Sequence, residues 1–187
     1  MNIFLIGFRG TGKTSVGKIL AQRLNRKYID ADEYLEQKEG KTIKDIFEEC
    51  DEGKFREIES DVIAELCLQN NTVIATGGGV VIKEENVKRM KKCGVAILLE
   101  ADADTLYKRI KGDITSTTKR PGLTNYGEYQ EIRYLLGKRK PLYDKTADFV
   151  VNTGKMSIDE AAGKIASFIE NYVMDFDKGQ DPSLTMQ

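Results

Sequence analysis

Four residues near the amino terminus have the types and the spacing of a phosphate-binding loop. They are Gly7, Gly12, Lys13 and Thr14, which satisfy the pattern G-x-x-x-x-G-K-T. The glycines let the backbone curl so that successive N–H groups point at phosphate oxygens, while the lysine reaches the β- and γ-phosphates and the threonine joins a magnesium shell. A plain glycine-rich turn that begins a helix is the alternative. The pattern predicts a site for ATP and Mg²⁺, with nucleotide contacts from Gly10, Thr11, Gly12, Lys13, Thr14 and Ser15.

Two carboxylates one residue apart, Asp30 and Asp32, follow the second short apolar run of the sequence. In extended geometry both side chains project to the same side, so one could face the waters of a magnesium ion and the other an acceptor hydroxyl. The alternative is an Asp cap for the helical segment from Glu33. A cap and a ligand are compatible roles for different members of the pair.

Charged and glycine residues farther along form two more candidate groups. Glu59 follows Arg56 by three positions at the start of a helical segment, close enough to hold the guanidinium in place. The run Gly77-Gly78-Gly79 follows the third apolar run, and three consecutive glycines suggest a backbone that a ligand approaches closely. A simple turn is the alternative for the glycines.

The elements that must position these residues alternate between strand and helix. Apolar runs too short for helices occur at residues 2–6, 28–30, 72–76, 95–99 and 148–152, separated by segments of helical period. This alternation predicts an α/β fold of three layers, α/β/α, with a five-stranded parallel sheet and ligands beyond the carboxyl ends of the strands. Residues 40–53 and 111–127 interrupt the pattern, and we expect a substrate-side helical insertion and a mobile lid there.

Composition limits the kinds of partner. The chain of 187 residues carries 29 basic and 30 acidic side chains without a block of like charge, so we expect no nucleic-acid or membrane partner. It has no histidine, which leaves acid–base chemistry to carboxylates, lysine or tyrosine. The odd and widely spaced Cys50, Cys67 and Cys93 suggest neither disulfides nor a zinc site. We expect a soluble cytoplasmic protein, compatible with a monomer, that binds a small molecule.

Taken together, the motifs resemble those of the shikimate kinase family, whose members have a P-loop fold like that of nucleoside monophosphate kinases. The resemblance covers about residues 1–172, most of the chain, and the combination of motifs is rather specific. It rests on the phosphate loop, Asp30-x-Asp32, Phe55-Arg56 with Glu59, Gly77-Gly78-Gly79, Arg120-Pro121 and Arg139-x-Pro141-Leu142-Tyr143.

The resemblance implies ATP-dependent phosphorylation of shikimate to shikimate 3-phosphate, a step toward chorismate and the aromatic amino acids. It assigns Asp32, Arg56, the three glycines Gly77, Gly78 and Gly79, and Arg139 to shikimate, with the two arginines on its carboxylate. That pairing is chemically sensible because guanidinium groups bind planar carboxylates bidentately.

The donor side is implied in the same way. The resemblance gives Lys13 and Arg120 to the γ-phosphate, Thr14 to magnesium with Asp30 behind the metal's waters, and Arg109 to the adenine. A solvated cation is the alternative for Arg109. As a mechanism we expect Asp32 to orient the acceptor hydroxyl and to receive its proton late, while Lys13, Mg²⁺ and Arg120 stabilise the transferred group.

The chain departs from the family pattern at the lid and at the adenine loop. The stretch between Arg109 and Arg120 is longer than usual, and Gly122 stands where an apolar residue is expected. Residues 152–156 lack the usual proline and second arginine, which leaves Lys155 as the candidate nucleotide contact. We expect one domain over residues 1–173, with the substrate region at about 32–61, the lid at about 111–127 and a disordered tail at 174–187.

Two other functions remain open from the sequence. One is a related P-loop kinase acting on gluconate or a nucleoside monophosphate, which would share the phosphate loop and differ in its acceptor residues. The other is a catalytically inactive, ATP-binding regulatory homologue, because fold and motif alone do not guarantee activity. Such a protein would be expected to have lost Lys13, Asp32 or Arg120, and all three are present.

Overall fold

The strands form a single parallel sheet. Residues 1–112 and 127–177 are described by a computed structural model of the chain. The sheet has five strands in the order β2-β3-β1-β4-β5, and each neighbouring pair is parallel. All five predicted strands are confirmed to within one residue at each end: β1 (Asn2–Ile6), β2 (Lys27–Asp30), β3 (Thr72–Ala75), β4 (Gly94–Glu100) and β5 (Phe149–Asn152).

Helices cover both faces of the sheet in the described part of the chain. They are α1 (Lys13–Arg23), α2 (Ala31–Glu39), α3 (Ile43–Glu49), α4 (Glu52–Leu66), α5 (Glu84–Cys93), α6 (Ala103–Gly112), α7 (Glu128–Thr146) and α8 (Ile158–Asp177), with a 3-10 turn at Val80–Ile82. The predicted three-layer α/β/α architecture is confirmed.

The period of two along β1 explains why the sheet has a core on each face. Phe4 and Ile6 pack with α2, α3, α4 and α5, whereas Ile3 and Leu5 pack with α1 and α8. Every residue of β1 is buried. A parallel strand buried on both faces is a continuous apolar run, which is the pattern the sequence shows here.

Local capping fixes where the substrate-side helices begin. Thr42 and Asp45 form a capping box at the start of α3, and the Asp51 side chain accepts the Lys54 N–H at the start of α4. These caps make α3 a separate short helix between α2 and α4. The predicted insertion at residues 40–53 therefore contains α3 and the first residues of α4.

Two local expectations differ from the structure. Asp32 lies in the first turn of α2 and is not extended, because the Asp30 carboxylate caps that helix by accepting the Asp32 N–H at 3.1 Å. The sequence also predicts that the helix following the lid ends at the run from Lys138 to Tyr143, but α7 continues through Pro141 to Thr146. Proline removes one helical hydrogen bond, and the buried Ile132, Arg139 and Tyr143 keep the helix packed on both sides of it.

The predicted lid and tail fall largely outside the described residues, as do Arg120, Pro121 and Gly122. Helix α8 continues to Asp177, past the predicted start of the tail at residue 174. Within residues 1–112 and 127–177, no helix has the length and apolar character needed to span a bilayer.

Candidate active site

The segments that carry the predicted site residues within the described part of the chain meet at the carboxyl edge of the sheet. The phosphate loop follows β1, Asp30 ends β2, the glycine run follows β3, and Thr153 follows β5. The parallel sheet brings these chain segments together although they are up to 142 residues apart, as in the hydrogen bond from the Thr153 hydroxyl to the Thr11 carbonyl. This edge is where open α/β sheets bind their ligands.

The phosphate loop has the backbone that its glycines predict. Gly7, Gly10 and Gly12 have φ angles of 135°, 81° and 87°, which side chains rarely permit. A Cβ on Gly7 would lie 2.2 Å from the Leu99 carbonyl oxygen, so β4 packs directly against the loop. Lys13 Nζ donates to the carbonyls of Gly7 at 2.8 Å and Phe8 at 2.9 Å and thereby folds over the loop.

Oxygen ligands suitable for magnesium lie beside the start of α1. The Thr14 hydroxyl donates to Asp30 Oδ2 at 2.9 Å, and the Tyr28 hydroxyl donates to the same oxygen at 3.2 Å. Burial and the nearby Asp30 charge raise the pKa of Tyr28, so its hydroxyl stays protonated as a donor. Hard oxygen donors of this kind match the preference of Mg²⁺.

A pocket beside the phosphate loop combines charged and apolar walls. The charged side chains are those of Arg9, Asp32, Arg56, Glu59 and Arg139, and the glycine run forms the backbone wall. The apolar wall comes from the phosphate loop and from helices α3, α4 and α7. Its residues are Phe8, Ile43, Phe47, Phe55 and Leu135. Apolar walls with convergent polar groups are typical of a site for a small polar molecule.

Arg56 is held in this pocket by two carboxylates. Its guanidinium donates to Glu59 at 2.8 Å and to Glu52 at 3.1 Å, so the predicted Arg56–Glu59 contact is confirmed. Burial alone would lower the pKa of Arg56, but the two carboxylates outweigh it and raise that pKa. Burial dominates at Glu59 and raises its pKa against the opposing charges of Arg56 and Arg139. Arg56 Nε is buried and has no hydrogen-bond partner among the described residues.

The glycine run is required by side chains of the protein itself. A Cβ on Gly79 would lie 2.2 Å from Arg56 Nη1, and one on Gly77 would lie 2.8 Å from Asp32 Oδ1 and 2.9 Å from Glu59 Oε1. All three separations are shorter than real Cβ contacts. The absent side chains therefore allow Asp32, Arg56 and Glu59 to lie against the backbone.

Helix α7 fixes the middle of the glycine run. Arg139 Nη1 donates to the Gly78 carbonyl at 3.2 Å, and the Tyr143 hydroxyl donates to the same oxygen. Burial raises the pKa of Tyr143 to about 12, so this hydroxyl remains a donor throughout the physiological range. The Arg139 guanidinium also lies 5.8 Å from the centre of the Phe8 ring. This cation–π contact connects α7 to the phosphate loop.

Arg109 and Thr153 connect the phosphate loop to the segment after β5. Arg109 donates to the carbonyl of Thr153 at 2.8 Å, to its hydroxyl at 3.2 Å and to the Gly10 carbonyl at 3.3 Å. The Thr153 hydroxyl lies 3.0 Å from the Thr11 carbonyl. Arg109 thus lies at the loop's outer end, whereas Lys155 is exposed in the next turn.

Sequence reasoning missed several residues of this site. Arg9 lines the pocket, its Nη2 lies 3.4 Å from Glu131 Oε1, and its Nε is buried without a partner among the described residues. Thr153 and Glu52 were missed as well. Arg9 occupies a variable position of the loop motif, and the partners of Arg9 and Thr153 are distant in sequence, so no local pattern marks them. Glu52 precedes Arg56 by four helical positions, a spacing that could have found it.

The fold and the site define a P-loop phosphotransferase that acts on a small molecule. A family model described as shikimate kinase matches residues 9–170. The shikimate kinase of Thermodesulfovibrio yellowstonii is 45% identical over 88% of this chain and 92% of its own, and that of Pelotomaculum thermopropionicum is 41% identical over 92% and 98%. The chain belongs to the shikimate kinase family.

Solved structures agree with this family. A shikimate kinase from Acinetobacter baumannii in complex with shikimate matches with a TM-score of 0.84 and 35% identity, over 91% of this chain and 93% of that one. A gluconokinase from Sinorhizobium meliloti matches with a TM-score of 0.61 at 13% identity, a likeness of fold alone. The predictions of the family and of a phosphotransferase are confirmed.

Proposed function

We propose that this chain transfers the γ-phosphate of ATP to the 3-hydroxyl of shikimate, giving shikimate 3-phosphate and ADP. The observation that carries the proposal is the pocket in which Asp32, Arg56 and Arg139 meet the glycine run beside the phosphate loop. The similar A. baumannii enzyme is one whose structure contains shikimate. A carboxylated polyol matches a pocket with guanidinium groups, a carboxylate and apolar walls.

On the donor side, the loop amides and Lys13 bind the β- and γ-phosphates of ATP. The start of α1 adds the positive end of a helix dipole to the same position. Lys13 already lies over the loop through its bonds to Gly7 and Phe8, so it can turn toward phosphate oxygens by a small side-chain movement. Arg120, which lies outside the described residues, would complete the charge around the transferred group. Arg109 and Lys155 would contact the nucleotide at the far end of the loop.

Thr14 and Asp30 would hold magnesium, Thr14 directly and Asp30 through water. Their oxygens are 2.9 Å apart beside the phosphate loop, and the donor set is the one that Mg²⁺ favours. Bound magnesium would neutralise charge on the β- and γ-phosphates. Asp30 also caps α2, so the same carboxylate fixes the first turn that carries Asp32.

On the acceptor side, Arg56 and Arg139 bind the carboxylate of shikimate. Arg56 is fixed by Glu59 and Glu52, and its buried Nε has no protein partner among the described residues, which a ligand oxygen would supply. Arg139 is fixed through Gly78. Preorganised guanidinium groups lose little freedom on binding, which strengthens recognition of a planar carboxylate.

Asp32 orients the reacting hydroxyl. It lines the pocket at Gly77, two residues after Asp30, the magnesium-side carboxylate. As the hydroxyl oxygen forms its bond to the γ-phosphorus, the bond between that phosphorus and the β,γ-bridging oxygen breaks and ADP leaves. The hydroxyl proton passes to an Asp32 oxygen. Positioning and charge neutralisation account for most of the expected acceleration.

The substrate assignment is tested by measuring ADP release with shikimate, gluconate and AMP as separate acceptors. We expect turnover with shikimate alone and its loss in Lys13→Ala. Turnover with gluconate or AMP instead of shikimate would overturn the acceptor assignment. ATP binding without turnover on any of the three would indicate an inactive nucleotide-binding homologue.

We further propose that the enzyme works as a monomer in the cytoplasm. A single chain supplies every described wall of the pocket, and ATP as phosphoryl donor is a cytoplasmic metabolite. Sedimentation of the purified protein together with fractionation of its host cells would test both statements. A stable dimer or a membrane-associated fraction would contradict them.

A further inference from the structure

Arg9 is a charged wall of the acceptor pocket that the phosphate-loop motif does not assign. The motif leaves position 9 variable, so the residue is not needed to bind phosphates. Its side chain nevertheless lines the pocket together with Asp32 and Arg56. Its backbone N lies 3.4 Å from the position of a Cβ on Gly78, where the phosphate loop meets the glycine run.

Arg9 is anchored from the opposite side of the pocket. Its Nη2 lies 3.4 Å from Glu131 Oε1, with only 17% and 4% of the two side chains exposed. Glu131 lies in the first turn of α7, the helix that also carries Arg139. A long side chain held by a buried carboxylate is fixed in place, and the ion pair balances its charge within the protein.

One buried hydrogen-bond donor of the Arg9 side chain is not used in the contact with Glu131. Arg9 Nε is buried and has no hydrogen-bond partner among the described residues. A buried donor without a partner costs free energy, so it is seldom retained unless a ligand or water satisfies it. An oxygen atom of a bound acceptor would remove that cost.

We propose that Arg9 is an acceptor-binding residue that donates to a non-reacting hydroxyl of the polyhydroxy acid, and that Glu131 positions it. This inference rests on the proposed function, in which Asp32 takes the reacting hydroxyl while Arg56 and Arg139 take the carboxylate. The remaining hydroxyls of shikimate, at its 4- and 5-positions, still need partners. Arg9 offers a donor on the phosphate-loop side of the pocket.

The first test separates acceptor binding from loop damage. In Arg9→Met we expect the Kd of shikimate, measured by calorimetry without nucleotide, and the KM for shikimate to rise about tenfold or more, as for a lost hydrogen bond from a charged donor. The KM for ATP should change less than twofold. Arg133→Met, an exposed arginine on the same helix as Glu131, is the matched control and should leave every value unchanged.

The second test identifies the contacted group. The analogue that lacks the contacted hydroxyl, either 4-deoxyshikimate or 5-deoxyshikimate, should bind to wild type more weakly than shikimate does. Arg9→Met should bind this analogue and shikimate with equal affinity. If Arg9→Met weakens shikimate and both analogues by the same factor, the hydroxyl contact is wrong. Arg9→Lys keeps the charge but lacks the Nε–H, so it should restore shikimate affinity only in part.

The third test concerns Glu131. Glu131→Gln should raise the Kd of shikimate in wild type and have no further effect on it in Arg9→Met, because the carboxylate acts through the arginine. Equal effects in both backgrounds would show that Glu131 does not position Arg9. Thermal melting of each variant establishes that it is folded.

The outcomes also separate this inference from the proposed function. If wild type fails to phosphorylate shikimate, the proposed function fails. If wild type phosphorylates shikimate and Arg9→Met binds it as tightly as wild type, the proposed function stands and the role of Arg9 is overturned. A rise in the KM for ATP alone would likewise assign Arg9 to the donor loop and overturn the inference.

Discussion

The donor and acceptor halves of the site are built by different means. The donor half is a backbone structure, in which three glycines with positive φ and the start of α1 present amide groups around Lys13. The acceptor half is a side-chain structure, in which Arg56, Glu59 and residues of α7 surround a short glycine run. A backbone cradle depends on local sequence, whereas a side-chain network depends on the whole fold. Variants of each half should therefore fail in different ways.

The largest effect is expected where the two halves meet, at Asp32. Asp32→Asn should lower kcat by about a hundredfold or more, because it removes the group that we propose receives the hydroxyl proton. The Kd of shikimate should change only a few-fold, since the amide still fits the pocket. Stopped-flow turnover and calorimetry measure the two quantities. Near-normal turnover would refute the role, and Glu33→Gln, an exposed neighbour on α2, serves as the control.

The next effect is expected within the acceptor half, at the glycine run. Gly79→Ala places a methyl group 2.2 Å from Arg56 Nη1 and must displace the guanidinium, whereas Gly78→Ala finds its nearest atom at 3.4 Å. We expect Gly79→Ala to raise the KM for shikimate about tenfold through the displaced arginine. The KM for ATP should stay constant in both variants. Equal loss of shikimate binding in the two alanine variants would contradict this account of the glycines.

A smaller effect is expected within the donor half, at Thr153. Thr153→Val keeps the shape of the side chain but removes the hydroxyl that lies between Arg109 and the Thr11 carbonyl. The KM for ATP should rise about fivefold, a change that corresponds to the free energy of one neutral hydrogen bond. Shikimate affinity measured without nucleotide should not change. If both affinities fall together, the two halves are less separate than the structure indicates.

The smallest effect concerns the pH dependence of stability at Glu59. Burial raises the pKa of Glu59 above its ordinary value of 4.5, so just above that pH the folded chain still holds a proton that the unfolded chain has lost. The free energy of unfolding should therefore fall as pH rises through this window. Glu59→Gln should lack this fall, as urea titrations at successive pH values would show.

An exposed neighbour supplies a control of opposite sign for this pH effect. A hydrogen bond from Lys54 lowers the pKa of Glu57, so its contribution to stability is lost as pH falls through the lowered value. Glu57→Gln should remove that dependence and leave the fall caused by Glu59. If Glu59→Gln and wild type have parallel pH profiles, Glu59 is not held in the state proposed.

The contrast between the halves also explains what the sequence could predict. The loop from Gly7 to Thr14 and the five strands were predictable, because each depends on spacing within a few residues. The proposed roles of Arg56 and Arg139 depend on a family resemblance, since their contacts join α4, α7 and the glycine run. An Asp cap was the alternative for Asp30 and Asp32, but the sequence does not reveal that Asp30 is the cap and that Asp32 lies in the first turn of α2.

The residues that escaped prediction share a physical cause. Arg9 meets Glu131 and Thr153 meets Thr11 across 122 and 142 positions of the chain, so only the assembled sheet brings them together. The glycine run was interpreted as space for a ligand. Its space is taken in part by Arg56, Asp32 and Glu59, whose side chains give the run its close contacts.

The order of the strands has a consequence for how the enzyme can open. Strand β1, which leads into Lys13, lies at the centre of the sheet with every residue buried, while β2 and β5 form its two margins. Amide hydrogens of a central strand exchange with solvent only when most of the protein unfolds, whereas marginal strands can open locally. The segments carrying Asp30 and Thr153 can therefore open locally as ligands enter and leave. Strand β1, which leads into Lys13, stays hydrogen-bonded to its neighbours during such local openings.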